Sequence, residues 1–271
     1  MGLNTLFIGH RVNVLDKVDS TNVYIHDLLA KAPLDEGLIV WALEQYAGKG
    51  QRGSSWLSQP GVNLTFSVLL RPHFLAIRDQ FWLTKALALS VAEFVSDSLN
   101  LSSRGERSGV GPGPDVKIKW PNDIYVNERK IAGILIENIL EKSLIKYSIA
   151  GIGVNINQDA FDTSLPNATS LKLLSGKEFD LRACLEKLCV SIEKFYLELR
   201  TSDYRKIDES YHKLLYRKDI WSKFSLNGSP TEGMIKGVSP SGHLLINTKT
   251  GEEIKANEAL EVSDVKHLVF L

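Results

Sequence analysis

The chain has 271 residues, 44% hydrophobic and 24% charged, which is enough apolar material for one large core and a smaller one beside it. Lys+Arg and Asp+Glu both number 32, so the net charge is zero and the basic bias of a protein that lives on a nucleic-acid backbone is missing. No apolar run approaches the ~18 residues of a membrane span, and MGLNTLFIGH carries no signal-peptide pattern; the expectation is a cytoplasmic protein with neither nucleic acid nor membrane as partner.

Val12 to Val18 is short and β-branched and predicts a strand. Ser20-Thr21 then offers helix-start chemistry ahead of Val23, Tyr24, Leu28 and Leu29. Gly37 to Leu43 and Asn63 to Leu70 are continuous apolar runs of strand length, separated by the glycine- and cation-rich segment GKGQRGSSW, Gly48 to Trp56. Phe81 to Leu99 reads as a long apolar helix, and Asn100 to Asp115, with SSRGERSGVGPGPD, reads as a loop without apolar periodicity. Val116 to Trp120 and Asp123 to Val126 are extended, and Asn127-Glu128-Arg129 turns the chain into a strand from Lys130 to Leu140. Another strand covers Leu144 to Ile152. Asp180 to Arg200 is an amphipathic helix by its 3.6-residue period, with Cys184 and Cys189 as buried thiols on it, and Tyr204 to Tyr216 keeps helical character. After Lys218 short strands alternate with tight turns: Ile220–Leu226, Glu232–Val238, His243–Asn247, Glu253–Lys255 and Leu260–Val262. That texture predicts a small β-barrel and places a domain boundary near Arg217, dividing residues 1–217 from 218–271.

Three segments carry chemistry. In GKGQRGSSW, Gly48, Gly50 and Gly53 let backbone approach a ligand, and Lys49 and Arg52 suit a phosphate or carboxylate, although a solvated turn reads equally well. In KIKWPNDIYVNERKIAGILIE, Pro121 forces a bend from which Asn122 and Asp123 project. Lys130 begins the next strand, on the face expected for Ala132, Ile134 and Ile136 by simple alternation. A strand-end gatekeeper lysine and a turn-capping carboxylate are the plain readings of Lys130 and Asp123. In GIGVNIN, the glycines let another group come close to the strand, and Asn155 and Asn157 alternate onto one face, each needing a backbone or ligand partner.

The ordered set VDSTN (Val18–Asn22), EQYAGKGQRGSSW (Glu44–Trp56), KIKWPNDIY (Lys117–Tyr125), RKIAGILIE (Arg129–Glu137) and GIGVNIN (Gly151–Asn157) closely resembles the biotin–protein ligases. The resemblance implies an α+β fold like the class II aminoacyl-tRNA synthetases, with helices packed on a mixed, mainly antiparallel sheet, followed by an SH3-like barrel. It implies adenylation of biotin by ATP with Mg2+, then transfer of the biotinyl group to a lysine of a biotin carboxyl carrier protein or carboxylase carrier domain. Ser20, Thr21 and Gln45 match positions that hold the biotin ring. The loop of Gly48, Lys49, Gly50, Gln51, Arg52 and Gly53 matches one that folds over biotin and its adenylate. Lys119 and Asn122 match a nucleotide motif, and Asn155 matches an asparagine near the adenine. Lys130 matches the lysine that contacts carboxylate and phosphate, with Lys49 and Mg2+ sharing the charge. Asp123 is the candidate for orienting or deprotonating the carrier lysine. Trp56 reads as packing support for the loop. The resemblance assigns no metal ligand and leaves a homodimer open.

Gln51 departs from the pattern, since many relatives carry an arginine there, and Ser102–Gly113 reads as an insertion. The short segment before the first strand suggests that no DNA-binding domain precedes the catalytic region. The rival readings are a lipoate or other acyl-acid ligase of the same fold, against which no arginine-glycine-glycine motif is found, and a non-catalytic biotin-binding regulator.

Overall fold

The computed structural model describes residues 4–103, 114–226, 229–248 and 253–256. β1 (Val12–Val18) and β2 (Ile39–Gln45) run parallel, joined through α1 (Thr21–Lys31), the crossover that parallel neighbours need. With β3 (Leu64–Leu70), β4 (Val116–Lys119), β5 (Asp123–Val126), β6 (Arg129–Glu141) and β7 (Leu144–Val154) they form a seven-stranded sheet in the order β1-β2-β3-β7-β6-β5-β4. Every pairing after the first is antiparallel, so the sheet is mixed as expected.

Alternation gives this sheet two different faces. Phe66 and Val68 of β3, Ala150 and Ile152 of β7 and Ala132 and Ile134 of β6 join the main core with α2 (Phe81–Ser103) and α4 (Leu181–Arg200). On the other face, Val40, Leu69, Tyr147 and Ile149 pack with Ile25 of α1 in a second, smaller core. That helix covers only part of the face. The rest carries Thr65, Ser67, Gly133, Gly151 and Gly153, residues too small or too polar to build a core, and a cavity lies over them.

Short elements brace the margins. α3 (Leu171–Ser175) starts where Ser170 Oγ accepts the Leu173 N–H at 3.1 Å and ends at Gly176, whose φ of 72° is the left-handed cap. α4 is capped by Asp180, whose carboxylate accepts from the Ala183 N–H at 2.7 Å. α5 (Arg205–Leu214) leads to the C-terminal strands β8 (Trp221–Leu226), β9 (Ser229–Val238), β10 (Leu244–Thr248) and β11 (Glu253–Ala256), an antiparallel sheet in the order β11-β10-β9-β8. The strand expected at Leu260–Val262 lies outside the described residues. Phe224, Ile235, Val238, Leu244 and Ile246 belong to the same core as α2. His212 Nε2 accepts the Val238 N–H at 2.9 Å, and Trp120 Nε1 donates to the Gly242 carbonyl at 2.9 Å.

One helix end and one short helix depart from expectation. α2 runs to Ser103, four residues past the expected end at Leu99, because Asn100 to Ser103 carry no helix breaker; the remainder of the expected insertion, residues 104–113, lies outside the described residues. α3 was not foreseen, since five residues hold too little of a helical period to be recognised.

Candidate active site

The floor of the cavity is a row of cross-strand neighbours. Thr65 pairs with Gly153, Gly153 with Gly133, and Gly133 with Asp123, running from β3 to β5. A parallel row joins Ser67, Gly151 and Leu135. The glycines are needed for close approach. A Cβ on Gly153 would stand 2.3 Å from Trp56 Cε2, one on Gly133 would stand 3.2 Å from Trp56 Cζ3, and one on Gly151 would meet Asn22 Oδ1 at 2.6 Å. Real Cβ atoms do not come within 3.0 Å of such neighbours. The Trp56 indole therefore lies directly on the bare sheet and forms part of the cavity wall, a fuller role than support for its loop.

The loop that carries Trp56 folds back on itself. Lys49 bridges Ser55, the Gly50 N–H donates to the Ser54 carbonyl at 2.7 Å, and the Trp56 N–H donates to the Gly48 carbonyl at 2.9 Å. A 3-10 turn, Gln51–Gly53, makes its tip, with Gly53 at φ 76°. Lys49, Gly50 and Gln51 line the cavity; Gly48 is buried beneath it, beside Gln45. Gly53 does not line it, and the side chain of Arg52 lies outside the described residues.

The cavity holds about 260 Å³, just below the range of ligand pockets, about 300–1,000 Å³. Its two ends differ. At one, Ser20, Thr21, Asn22 and Gln45 offer neutral hydrogen-bonding groups. Gln45 Oε1 accepts the Thr21 N–H at 2.9 Å, which ties the start of α1 to the end of β2. At the other end stand Lys119, Asp123 and Lys130, and Lys49 of the loop also lines the cavity. Lys130 Nζ lies 2.7 Å from Asp123 Oδ1, and 5.8 Å from the centre of the Trp56 ring. Burial pushes the Lys119 ammonium below the usual lysine range, opposed by the nearby Asp123 charge and reinforced by Lys130 and Arg217.

The expected facing of Lys130 is corrected here. Ile124 pairs with Ala132 but Tyr125 pairs with Lys130, so Ile131 is an extra residue in β6. This bulge breaks the alternation: Ile131 and Ala132 both turn into the core, and Lys130 shares the cavity face with Gly133 instead of Ala132 and Ile134. Residues that sequence patterning did not single out hold it there. The Lys130 N–H donates to the Asn167 carbonyl at 2.7 Å, and the Lys130 carbonyl accepts the Thr169 N–H at 2.9 Å.

Asn122 is buried and donates from Nδ2 to the Ile134 carbonyl at 2.6 Å, pinning the bend after the cis Trp120–Pro121 peptide against β6. Asn155 is not on the cavity wall. Its Nδ2 donates to the Thr169 carbonyl at 3.0 Å, on the same segment that braces Lys130, and its Oδ1 is buried without a partner among the described residues. Asn157 is paired elsewhere, with the Phe179 backbone at both ends of its amide, so the two asparagines do not act as one face. Among the described residues no group of three His, Cys, Asp or Glu side chains is placed to hold a metal.

Comparison with known proteins agrees with this geometry. A family model described as the biotin/lipoate A/B protein ligase family matches residues 14–155. The bifunctional ligase/repressor of Bacillus spizizenii is 31% identical over 256 residues, covering 92% of this chain and 73% of that protein. The biotin–[acetyl-CoA-carboxylase] ligase of Paracoccus denitrificans is 28% identical over 247 residues, covering 89% of this chain and 96% of the relative. The structure of the biotin protein ligase from Aquifex aeolicus in complex with biotin and ATP matches with a TM-score of 0.72 at 29% identity, over 92% of this chain and 97% of that one. This chain belongs to the biotin/lipoate A/B protein ligase family.

Proposed function

We infer that this chain is an ATP-dependent biotin–protein ligase, which forms biotinyl-5′-AMP and passes the biotinyl group to a lysine of a carboxyl carrier protein. The observation that carries the reading is one cavity with a neutral, hydrogen-bonding end and a cationic end, joined by the flat Trp56 and glycine floor. A biotin molecule has the same layout: a neutral cyclic urea at one end, an apolar body, and a carboxylate at the other.

In the first step a carboxylate oxygen of biotin attacks the α-phosphorus of ATP and pyrophosphate leaves. Two anions must meet, so the barrier is largely electrostatic, and Lys130 with Lys49 and Lys119 lowers it by standing where the negative charge gathers. Among the described residues Asp123 is the single carboxylate on the wall, and its ion pair holds Lys130 in place before ligand arrives. That donor set does not make a resident metal cage, and it fits magnesium brought on the phosphates of its substrate, MgATP. Gln51 and the amides of the Gly48–Gly53 loop add neutral donors to the adenylate. Asn155, which the resemblance puts near the adenine, lies off the cavity wall, and its amide steadies the Thr169 segment that braces Lys130. In the second step the neutral amine of the carrier lysine attacks the acyl carbon and AMP leaves. Asp123 is the group placed to orient that amine or take its proton.

The finer architectural reading is also part of the proposal: a catalytic domain of residues 1–217 related to the class II synthetases, and an SH3-like domain of residues 218–271 that assists transfer. The cell compartment is cytoplasmic, nucleic acid is not a partner, and a second copy of the chain is an open partner. The test is direct. Incubated with biotin, MgATP and a purified biotin carboxyl carrier domain, the protein should raise the carrier mass by one biotinyl group, and no mass change under conditions where a known ligase succeeds refutes the reading.

A further inference from the structure

The hydrogen bonds behind the neutral end can run in only one direction. Asn22 is 4% exposed, and its Nδ2 lies 2.6 Å from Glu137 Oε2 and 3.4 Å from the Leu135 carbonyl oxygen. Carboxylates and carbonyls accept, so the amide cannot be turned over and its oxygen must point the other way. There Asn22 Oδ1 lies 2.6 Å from Ser67 Oγ. An amide oxygen brings no proton, so the Ser67 proton sits on that line. Ser67 Oγ is also 2.6 Å from Thr21 Oγ1, a distance that two hydroxyl oxygens hold only with a proton between them. Ser67 has already used its one proton, so this one comes from Thr21. The Thr21 oxygen is then left with lone pairs alone on its cavity side, and its 3.3 Å approach to Gln45 Oε1 is not a donated bond. Gln45 Oε1 is instead occupied by the Thr21 N–H, which leaves Gln45 Nε2 as the donor of the pair.

We propose that Glu137, Asn22 and Ser67 form a polarity relay that fixes the Thr21 hydroxyl as an acceptor toward the ligand, so that this end selects a ring N–H. Ser67 is fully buried behind the wall and touches no ligand space, which makes it a positioning residue. The proposal rests on the biotin reading and deepens it. An acceptor beside a donor matches the N–H beside the carbonyl of a cyclic urea, whereas the dithiolane of lipoate has no donor to give. A site built this way rejects a ligand lacking the N–H because a buried polar group is left unpaired.

The relay can be inverted from outside. Glu137 is exposed, so changing it spares the core. Glu137→Lys puts a donor where the acceptor stood; Asn22 turns over, the Ser67 proton moves to Thr21, and Thr21 presents its partner with the wrong polarity. Glu137→Gln keeps an acceptor oxygen and is the conservative rescue. Ser67→Ala removes the middle of the relay, with circular dichroism as folding control. The readout is biotin-dependent exchange of labelled pyrophosphate into ATP, with biotin and with the two cyclic carbamates that replace one ureido N–H by oxygen. The wild type should prefer biotin over one of the carbamates by at least about 100-fold in kcat/KM. In Glu137→Lys and Ser67→Ala that ratio should shrink about tenfold, through a raised KM for biotin with kcat nearly kept, while Glu137→Gln holds the wild-type ratio. A wild-type ratio in Glu137→Lys and Ser67→Ala, or the same loss in Glu137→Gln, overturns the relay. Exchange that requires lipoate and ignores biotin in the wild type overturns the biotin reading instead.

Discussion

The two ends of the cavity are built by different physical means. The neutral end is a chain of buried hydroxyls and amides, Thr21, Ser67 and Asn22, all under 5% exposed, in which each proton position is dictated by the next group. The cationic end is looser: Lys49 is exposed, and Lys130 and Asp123 keep 34% and 23% of their side-chain surface. Buried neutral polar groups discriminate well because an unmatched partner is costly, and exposed charges discriminate poorly but act on any anion that arrives. On the proposed function, recognition and reaction are separated along the ligand.

The largest expected effect breaks the cationic end. Lys130→Ala should slow biotinyl-AMP formation at least about 100-fold in single-turnover measurements, since one preorganised contact to developing charge is worth about 2.7–4 kcal/mol. Biotin binding in the absence of ATP should fall much less, because the neutral end is untouched. Equal losses in both would erase the division between the ends.

Next comes the floor. Gly153→Ala places a Cβ 2.3 Å from the Trp56 ring and must push the indole off the sheet. Biotin affinity measured by calorimetry should fall about tenfold or more, equivalent to about 1.4 kcal/mol, with the helix content of the protein unchanged. Unaltered affinity would mean that Trp56 has no part in shaping the site.

How much of this could be read in the sequence depends on the kind of signal. The strands and long helices were legible because hydrophobic alternation and the 3.6 period leave a mark over many residues; β1 and β5 occur over the residues that patterning gave. The close approach at Gly151 and Gly153 was legible as two glycines in a β-branched strand, but not that Asn22 and Trp56 are the groups that approach. Lys130, a candidate from the motif, lines the cavity, but simple alternation faces it incorrectly, since a bulge at Ile131 costs one residue of register and leaves no mark in composition. Ser67 was invisible as a functional residue: a serine in an apolar strand reads as an ordinary small residue until Thr21 and Asn22 are seen on either side of it.

Within the loop, charge should matter more than donor count. Lys49→Ala should speed escape of biotinyl-AMP several-fold, and Gln51→Ala should change it by less than about twofold, because a charged partner strengthens a hydrogen bond to phosphate roughly twofold over a neutral one. Release rates from preloaded protein decide it, and equal leakage from both variants contradicts the electrostatic reading of this loop.

The smallest effect concerns stability. Burial lowers the Lys119 pKa, so the protonated form is less favoured in the folded chain than in the unfolded one. Its stability contribution is fully present above the unfolded lysine value, about 10.4, and is lost as pH falls toward the folded value. Lys119→Met should raise Tm slightly at pH 7, with a gain that shrinks as pH rises toward the unfolded lysine value, while weakening ATP binding. A gain independent of pH would assign the effect to packing rather than to the buried charge.

The most direct test of the two-ended account is pyrophosphate exchange into ATP measured side by side with biotin and with lipoate, in the wild type and in Lys130→Ala. The account predicts saturable exchange with biotin, none above background with lipoate, and loss of exchange in Lys130→Ala while that variant still binds biotin. Comparable exchange with lipoate, or full exchange in a folded Lys130→Ala, would contradict it.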